Sequence, residues 1–450
     1  MVKITIIGGG SSTFTPPLMR LFIESEVLRG STITLMDINA YRLKIMESLS
    51  KHLVKKFKAD LKVEATTSQK ESLVDADFVI TAIAVGGVDA WEKDIEIPAK
   101  YGIYMPVGDS IGPGGIMRAF RHIPVLVSVG KDLEEVSPDA IVFNYTNPVT
   151  ANTMAMNKYT KVKAFGLCSC SSIPEDADYL GRILGINPNE LALPPLVGGL
   201  NHCAAILQLR LKDGRDAFEL LREKGGVKGR WWAIAFQNFI FENYGILPYC
   251  PGHWTEFFPS LCQLAEDEEY KGRAQGLRTI LGGHIHDLNR QREKAKKWEA
   301  LLEKISRGEE EEIPLENVLP RGESIIVVKI IESFLENRNE IHVVNVENRG
   351  AISNLPDDAV VEVSCVVGRY GINPIHVGSL PKPIAALLNS HVEAQKLTVE
   401  AAITGDRQLA YEAFLQDPNI AARLTPEKAK KLLNEMLEAH AAYLPQFQDA

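Results

Sequence analysis

The sequence predicts an α/β fold, because β-branched runs alternate with helical patterns over its first half. Residues 2–7 form a β-branched run that leads directly into the turn Gly8-Gly9-Gly10-Ser11. A helical pattern follows, and a second β-branched run ends on Asp37. This order of strand, glycine turn, helix and strand predicts a Rossmann-type, doubly wound parallel sheet.

The patterns that follow extend this sheet. They predict a helix over residues 40–57 and strands over residues 61–67, 76–82, 140–144 and 162–166. Polar residues follow several of these strands, at Gly86, at residues 144–148 and at Cys168. Because ligands of such sheets bind beyond the carboxyl ends of the strands, we expect these segments to surround one site.

The glycine turn and Asp37 together predict an NAD site. Gly8, Gly9 and Gly10 let the backbone approach a pyrophosphate, and the following helix N-terminus favours its negative charge. Asp37 can accept hydrogen bonds from the adenosine ribose and repels a 2′-phosphate, which favours NAD over NADP. Arg42 weakens that preference slightly. Thr13 stands where the usual fingerprint has its third glycine, so a tight turn without a ligand is the alternative.

The pattern changes near residue 190, where the regular alternation ends. Strands are predicted over residues 204–211 and 360–367, and helices over residues 230–243, 324–337 and from Pro383 onward. Residues 287–312 are highly charged at helical spacing, which is typical of a solvated helix and a linker. We therefore predict an NAD-binding domain of residues 1–195 and an α+β catalytic and oligomerisation domain of residues 196–450.

Composition excludes several classes of function. The chain has 450 residues and a net charge of −9, which argues against nonspecific binding to nucleic acid or anionic membranes. Neither a signal peptide nor a membrane-spanning run of ~18 apolar residues is expected. The six cysteines follow no pairing pattern, so the cytoplasm is the predicted location.

A glycine-dense loop and an asparagine pair carry the next polar groups. Residues 108–115 hold Asp109 and precede Arg118, which offer a carboxylate and a guanidinium; a structural turn with a capping aspartate is the alternative. Asn147 follows a buried strand, and its carboxamide can hydrogen-bond sugar hydroxyls or a nicotinamide amide, or simply cap the chain before Pro148.

Cys168 and the pair Asn201-His202 complete the set. A thiolate and an imidazole could share a divalent metal and leave room for substrate oxygens. They are 34 positions apart, so each must come from a different element. A packed thiol and a satisfied histidine are the structural alternative.

In this order, these segments resemble glycoside hydrolase family 4, the NAD-dependent glycosidases that require a divalent metal. The resemblance covers nearly the whole chain. It rests on residues 6–11, 108–115, 144–148, 166–168, 199–202, 256–259 and 354–356.

The resemblance implies both cofactors and roles. The family's metal ligands fall on Cys168 and His202, with Mn²⁺ as the usual ion. The family's asparagine falls on Asn147, which is expected to contact substrate and cofactor. Asp109 is expected to protonate the leaving oxygen or bind a hydroxyl, and Arg118 and Asn201 are expected to contact the substrate.

The resemblance also implies the reaction. NAD⁺ takes hydride from C3 of the sugar, which acidifies the C2 proton; a base removes that proton, and the metal stabilises the resulting enediolate as a Lewis acid. The glycosidic oxygen then leaves by elimination, water adds, and the hydride returns. NAD is therefore required but not consumed.

The chain departs from the family at two positions. Ser169 follows the metal cysteine where the family carries His, Asp or Asn, so this position does not assign the substrate. Pro251 stands where related members have an aspartate two residues before the histidine aligned with His253. Tyr249 is the favoured replacement base, and His253 is the other candidate.

The predicted substrate is a small carbohydrate. The loop around Asp109 is closer to the branch that acts on unphosphorylated sugars, and a sugar acid is one such substrate. A homodimer or homotetramer is expected. The competing hypotheses are a 2-hydroxyacid dehydrogenase of the lactate and malate type, which shares the predicted sheet and C-terminal domain, and a non-catalytic NAD-binding sensor.

Overall fold

A computed structural model describes residues 1–105, 107–228, 232–260, 292–293, 295–305, 307–309 and 326–448 of the chain. Twelve strands of the described part form one continuous sheet. The predicted α/β class, with a Rossmann-type parallel sheet at the N-terminus, is confirmed.

The first six strands build the parallel half of the sheet. They are β1 (Lys3–Ile7), β2 (Ser31–Met36), β3 (Leu61–Thr66), β4 (Phe78–Thr81), β5 (Ile141–Asn144) and β6 (Lys163–Gly166). Their order is β3-β2-β1-β4-β5-β6 and every pair is parallel, which is the doubly wound order of dinucleotide-binding folds. Four of the five residues of β1 are buried, because helices cover both faces of a parallel sheet.

Six helices connect these strands. They are α1 (Thr15–Glu24), α2 (Ala40–Lys56), α3 (Gln69–Leu73), α4 (Gly87–Lys100), α5 (Gly112–Val136) and α6 (Val149–Tyr159). The β1–β4 junction lies in the middle of the order, where the chain reverses direction across the sheet. Ligands bind at this switch point in open α/β sheets.

The remaining strands build an antiparallel half on the same sheet. They are β7 (Leu191–Leu200), β8 (Cys203–Leu211), β9 (Leu247–Pro248), β10 (Glu340–Glu347), β11 (Val360–Gly368) and β12 (Gly371–Pro374). β10 joins the two halves, because Asn345 of β10 lies opposite Gly166 of β6. β11 pairs with both β10 and β7, and Glu362 of β11 lies opposite Gly199. The sheet thus carries side chains of the second half up to the edge of the first.

Helices of the second half surround this sheet. They are α7 (Ala177–Leu184), α8 (Ala217–Glu223), α9 (Trp232–Tyr244), α10 (Pro251–Trp254), α11 (Val327–Glu336), α12 (Lys382–Thr404), α13 (Arg407–Gln416), α14 (Pro418–Ala421) and α15 (Pro426–Ala439). α12 packs on α5 and α6 of the parallel half. The boundary predicted after residue 195 falls inside β7 and stays a prediction. No helix in the described ranges combines the length and apolarity needed to cross a bilayer.

The charged segment predicted as a solvated helix and linker differs from that prediction. Residues 295–305 are helical, but Leu302 and Ile305 are almost fully buried, and the Trp298 Nε1–H donates to the Ser12 carbonyl at 2.8 Å. The apolar residues of this helix are few and widely spaced among charged residues. The sequence pattern therefore does not indicate that one face of the helix packs on the glycine turn. The rest of the predicted segment lies outside the described residues.

Candidate active site

The glycine turn is held tightly between the first, second and fourth strands. The N–H groups of Gly8 and Gly9 donate to the Met36 carbonyl at 2.9 and 2.8 Å. Gly8 has φ +96°, and a Cβ there would lie 2.3 Å from the Ala82 carbonyl oxygen. Glycine is therefore required at this turn, as predicted, because the backbone passes too close to its neighbours for a side chain.

Asp37 is oriented by two backbone donors. Its Oδ2 accepts from the Gly10 N–H at 3.0 Å, and its Oδ1 accepts from the Asn39 N–H at 2.9 Å. Each carboxylate oxygen keeps a further lone pair that can accept a ribose hydroxyl. Arg42, which could have formed an ion pair with a 2′-phosphate, forms a salt bridge with Glu299 at 2.9 Å instead. This arrangement favours a ribose without a 2′-phosphate.

Ser11 shapes the start of α1. Its Oγ accepts from the Phe14 N–H at 3.1 Å, and its own N–H donates to the Gly8 carbonyl at 3.0 Å. Ser11 therefore stabilises the turn. A pyrophosphate on this turn would meet the next backbone amides along the chain, those of Ser12 and Thr13.

Asp109 lies at the centre of a buried polar cluster. Its Oδ2 accepts from the Asn147 Nδ2 at 2.8 Å, and its Oδ1 accepts from the Ser110 Oγ at 2.7 Å. Burial alone would raise its pKa, but His202, His253 and Arg118 outweigh this and lower the pKa to about 2. The structure brings the predicted residues Asp109 and Asn147 together as an ionised carboxylate and its amide donor.

His202 occupies the turn between β7 and β8 in a strained conformation. Its φ is +67°, a region that non-glycine residues enter rarely and often at functional sites. Ser110 Oγ lies 2.7 Å from His202 Nδ1. Because Ser110 gives its one proton to the Asp109 carboxylate, Nδ1–H of His202 donates to Ser110. Burial would lower the pKa of His202, but Cys168 and Asp109 outweigh this and raise it to about 9, so Nε2 also carries a proton, which a metal bound there would displace.

Three potential metal ligands converge in this cluster. Ligand atoms of Asp109, His202 and His253 lie within 4.8 Å of one another. The His202 and His253 rings stack with centroids 3.7 Å apart. His253, predicted as a candidate base, therefore stands beside the metal donors, where it could be a third ligand.

Cys168, the predicted thiolate ligand, lies on the other side of His202. It is within hydrogen-bonding reach of His202, and its Sγ accepts from the Cys170 N–H at 3.4 Å. The neighbouring Cys170 and burial raise the pKa of Cys168 well above its ordinary value. In this protein without metal the side chain is a thiol, and metal binding would displace its proton.

Cys170 and Cys250 form a buried sulfur pair. Their Sγ atoms are 2.8 Å apart. Cys170 is two residues from Cys168, and Cys250 directly follows Tyr249, so the pair lies between the candidate metal ligand and the candidate base. No pattern in the sequence indicated this pairing, because the two cysteines are 80 positions apart.

Tyr249 does not stand alone. Its hydroxyl donates to Oε1 of Glu362, a carboxylate that is 1% exposed. Burial and the Glu362 carboxylate raise the pKa of Tyr249 well above its ordinary value. The hydroxyl is therefore protonated, whereas a free phenolate base would need a lowered pKa. Asn201 donates through Nδ2 to the same carboxylate at 2.7 Å.

Arg118 is half-buried beside the cluster. Its Nε–H donates to the Asn147 carbonyl at 3.3 Å. Within the described ranges no carboxylate lies within 4.0 Å of its guanidinium, in contrast to Arg121, which pairs with Asp94 at 2.6 Å. Asp109 interacts with this guanidinium only at longer range, so an anionic ligand group could still form a direct ion pair with it.

Two further residues hold the site loops in place: Glu256, which belongs to a stretch of the family resemblance but was given no role from the sequence, and His122, which was not singled out. Glu256 accepts through Oε1 from the N–H groups of Val107 and Gly108, at 2.5 and 2.7 Å, and so fixes the loop that carries Asp109. His122 donates through Nδ1 to the Asn147 carbonyl at 2.7 Å and accepts through Nε2 from the Val85 N–H. Both residues lie in helical segments among apolar neighbours, so the sequence pattern did not indicate these contacts.

Sequence comparisons identify the family. The profile described as family 4 glycosyl hydrolase matches residues 3–176, and the profile of the family 4 glycosyl hydrolase C-terminal domain matches residues 197–420. The chain belongs to family 4 of the glycosyl hydrolases. The predicted family and the predicted glycosidase class are confirmed.

Curated relatives align over the full length. The chain is 31% identical to the alpha-galactosidase of Bacillus subtilis (strain 168) over 451 residues, which cover 100% of both chains. It is 32% identical to the alpha-galacturonidase of Lachnoclostridium phytofermentans over 473 residues, covering 99% of this chain and 97% of the relative.

Solved structures agree with both predictions of fold and cofactors. The 6-phospho-beta-glucosidase of Thermotoga maritima, solved with manganese, NAD⁺ and glucose-6-phosphate, has a TM-score of 0.76 and 27% identity, and the match covers 98% of this chain and 99% of that chain. Malate dehydrogenase of Plasmodium falciparum shares the fold at a TM-score of 0.52 and 14% identity, covering 90% of this chain and 99% of that chain.

Proposed function

We propose that this chain is a glycosidase that uses NAD and a divalent metal to cleave the O-glycosidic bond of an unphosphorylated sugar, in particular a sugar acid. The observation that carries the proposal is the convergence of Asp109, Asn147, Cys168 and His202 at the carboxyl ends of the parallel strands, beside the glycine turn. Family membership supplies the reaction class.

The residues of the glycine turn fit NAD. Gly8, Gly9 and Gly10 leave no room for side chains, Ser11 fixes the turn, and Asp37 presents an oriented carboxylate. Asn147 is the residue proposed to meet the nicotinamide end, because it follows β5 at the same sheet edge. Bound there, NAD⁺ supplies a reversible hydride acceptor for C3 of the sugar.

The donor set fits a divalent metal. Imidazole and thiolate bind divalent transition metals, and the carboxylate adds a ligand type that suits Mn²⁺. The Ser110 contact orients the His202 ring so that Nε2 can bind the ion once its proton is displaced. We propose Cys168 and His202 as ligands, with Asp109 and His253 as further candidates. The ion would act as a Lewis acid toward the sugar oxygens. Cys168→Ser should abolish Mn²⁺ binding, whereas Cys170→Ser should preserve it; the reverse result would make Cys170 the ligand.

Two of the predicted substrate-binding residues, Arg118 and Asn201, have polar groups that can bind a substrate. Arg118 has no carboxylate partner within the described ranges, which supports a carboxylate on the sugar. Asn201 uses Nδ2 on Glu362, and its buried Oδ1 has no hydrogen-bond partner among the described residues, so it can accept a sugar hydroxyl. Asn147 shares its Nδ2 with Asp109.

The protonation of Asp109 bears on its two proposed roles. An ionised carboxylate that accepts from Asn147 and Ser110 is suited to bind a sugar hydroxyl or a metal. As a proton donor to the leaving oxygen it would first need a proton. We therefore propose the binding role. For removal of the C2 proton we propose Tyr249, with His253 as the alternative.

A hydrolysis screen tests the proposal. Aryl α- and β-glycosides of neutral, uronic, sulfonated and phosphorylated sugars are incubated with enzyme, NAD⁺ and Mn²⁺. We expect uronides to be cleaved and Arg118→Met to lose uronide cleavage more than cleavage of the neutral sugar. Cleavage of phosphorylated sugars alone would contradict the substrate class, and no cleavage of any member would contradict the function.

A dehydrogenase of the lactate and malate type was the alternative that shares this fold, and membership of family 4 favours the glycosidase over it. A simple dehydrogenase has no use for Cys168 or a metal. Stoichiometric NADH release without glycoside cleavage would favour it. A non-catalytic sensor would bind NAD and cleave nothing.

Three properties of the molecule complete the proposal. A cytoplasmic location is supported by the five described cysteines, all of which are buried as thiols. The two-domain division at residues 195 and 196 is supported by the change from parallel to antiparallel pairing. A homodimer or homotetramer follows from the family resemblance, and light scattering of the purified protein tests it.

A further inference from the structure

Glu362 collects three hydrogen-bond donors in the interior of the site. Its Oε1 accepts from the Tyr249 hydroxyl, and its Oε2 accepts from Nδ2 of Asn201 at 2.7 Å and of Asn345 at 2.9 Å. The carboxylate is 1% exposed. These three hydrogen bonds replace the water that a buried carboxylate loses.

The three donors differ in what they can release. The amide groups of Asn201 and Asn345 hold the carboxylate in place but cannot transfer a proton. Tyr249 alone donates through a hydroxyl, whose proton can move along the hydrogen bond to Glu362. The amides therefore occupy one oxygen and leave the other for Tyr249.

The register of the sheet fixes this geometry. Glu362 lies opposite Gly199 on β7 and opposite Asn345 on β10, so the backbone holds it between the two strands. Gly199 begins the turn that carries Asn201 and His202. The same short stretch thus sets the candidate metal ligand and the partner of the candidate base. A rigid strand pair is well suited to hold groups that must stay aligned.

We propose that Glu362 is the positioning residue behind the C2 base, and that it receives the Tyr249 proton when Tyr249 takes the proton from C2. This inference rests on the proposed function, which provides the sugar oxidised at C3. In this proposal the pair Tyr249 and Glu362 takes over the role that the resemblance assigns to an aspartate at the position of Pro251.

The step balances in protons and electrons. The C2–H bond breaks, its electron pair remains on the sugar, and the Tyr249 oxygen forms a new O–H bond. The original Tyr249 O–H bond breaks at the same time, and its proton passes to Oε1 of Glu362. The tyrosine is neutral before and after, so no phenolate has to exist in this buried position.

The test separates the C2 step from the C3 step. In D₂O, exchange of the C2 hydrogen is followed by NMR and reduction of enzyme-bound NAD⁺ by absorbance. Glu362→Gln keeps the size of the side chain but cannot take the proton; we expect NAD⁺ reduction to persist and exchange to fall by ~100-fold or more. Glu362→Asp should recover part of the exchange, and Tyr249→Phe should resemble Glu362→Gln.

Asn345→Ser is the matched control for packing. It removes one donor to Glu362 but keeps the carboxylate, so exchange should fall by less than about tenfold. Formate, a small carboxylate, should restore exchange in Glu362→Ala and leave Asn345→Ser unchanged, whereas chloride should restore neither. Rescue by formate is not expected of a residue that only supports the fold.

A measurement on the protein without substrate, NAD or metal tests the contact itself. With 3-fluorotyrosine incorporated, the ¹⁹F resonance of Tyr249, assigned by its loss in Tyr249→Phe, should shift in Glu362→Gln.

Wild-type behaviour separates the two levels of failure. If the wild type neither reduces NAD⁺ nor exchanges C2, the proposed function is wrong. If the wild type does both and Glu362→Gln exchanges at the native rate, or loses NAD⁺ reduction equally, the role of Glu362 is wrong. An unmoved ¹⁹F resonance would also overturn it.

Discussion

The two halves of the sheet build the site in different ways. The parallel half contributes the backbone of the glycine turn and the side chains that follow its strands and loops, namely Asp37, Asp109, Asn147 and Cys168. The antiparallel half contributes single side chains, His202, Tyr249 and Glu362, which distant strands bring together. The glycine turn alone indicates a dinucleotide, whereas each of those side chains means little without its neighbours.

This difference separates two tasks. The glycine turn and Asp37 can hold a cofactor that many enzymes share. The side chains of the metal site and of the candidate base, which come from both halves, are proposed to act on the substrate. Damage to the glycine turn or Asp37 should therefore weaken NAD binding and be overcome by more NAD, whereas loss of the metal ligands or of the base should stop the reaction with NAD still bound.

The largest effect is expected for His202→Ala. Loss of a ligand whose Nε2 can bind the metal should lower glycoside cleavage by ~1,000-fold or more and abolish Mn²⁺ binding, while NAD affinity stays within about twofold. Elemental analysis measures Mn²⁺ binding, and calorimetry measures the affinity for NAD. His376→Ala, at an exposed position, is the control. Retained cleavage would show that the antiparallel half does not carry the metal.

Asp37→Ala should have the next largest effect. NAD should bind one to two orders of magnitude more weakly, as expected for losing ~1–3 kcal/mol of hydrogen bonding to a charged group. Saturating NAD should restore cleavage, and Mn²⁺ binding should be unchanged. Asp213→Ala, on an exposed turn of the antiparallel half, is the control. Unaltered NAD affinity would contradict the assignment of Asp37.

Mild oxidation should affect the sulfur pair Cys170 and Cys250, which joins the two halves of the sheet. Hydrogen peroxide is expected to join Cys170 and Cys250, whose sulfurs are 2.8 Å apart, with two thiols giving one disulfide and two waters. Cleavage should fall by roughly tenfold and recover with dithiothreitol. Mass spectrometry of the linked peptides detects the bond, which Cys365→Ser should retain and Cys250→Ser should lack. A peroxide effect without this bond would place the damage at Cys168.

The smallest effect is expected for Glu256→Gln. Burial, with a contribution from Asp109, raises the pKa of Glu256 from 4.5 to about 8, so the folded protein holds this proton more tightly than the unfolded chain. Its contribution to stability is complete below pH 4.5 and is lost as the pH rises toward 8. Glutamine can still accept from Val107 and Gly108.

The melting temperature of Glu256→Gln should consequently fall less than that of the wild type between pH 5 and pH 8, with a difference of ~5 °C at pH 8. Glu438→Gln, at an exposed position, should follow the wild type. Parallel curves for all three proteins would mean that Glu256 is ionised in the fold.

The sequence predicted the parallel half almost to its strand ends. Buried strands of a parallel sheet are continuous apolar runs, and the predicted strand at residues 61–67 is observed at Leu61–Thr66. Strand β10 was missed, because its residues Glu340, His342 and Asn345 interrupt the apolar run. Of these, Asn345 meets Gly166 and Glu362 on neighbouring strands, and His342 meets Glu175, contacts that local patterns do not reveal.

The site was predicted in parts. Asp109, Asn147 and His202 were found through motifs that resemble a family, and the structure brings them together. Glu362 was not found, since a single glutamate in the run Val360–Gly368 looks like the solvent-facing residue of a half-buried strand. Only the register of β11 between β10 and β7 shows that its carboxylate points into the site.

The most direct test of the account is a single hydrolysis in D₂O with NAD far below the substrate concentration. Enzyme, Mn²⁺ and an aryl uronide are incubated, and the released sugar is analysed by NMR and mass spectrometry. We expect many product molecules per NAD, each with one deuterium at C2, and no accumulation of NADH. Product without deuterium at C2, or one NADH released per product, would contradict the account.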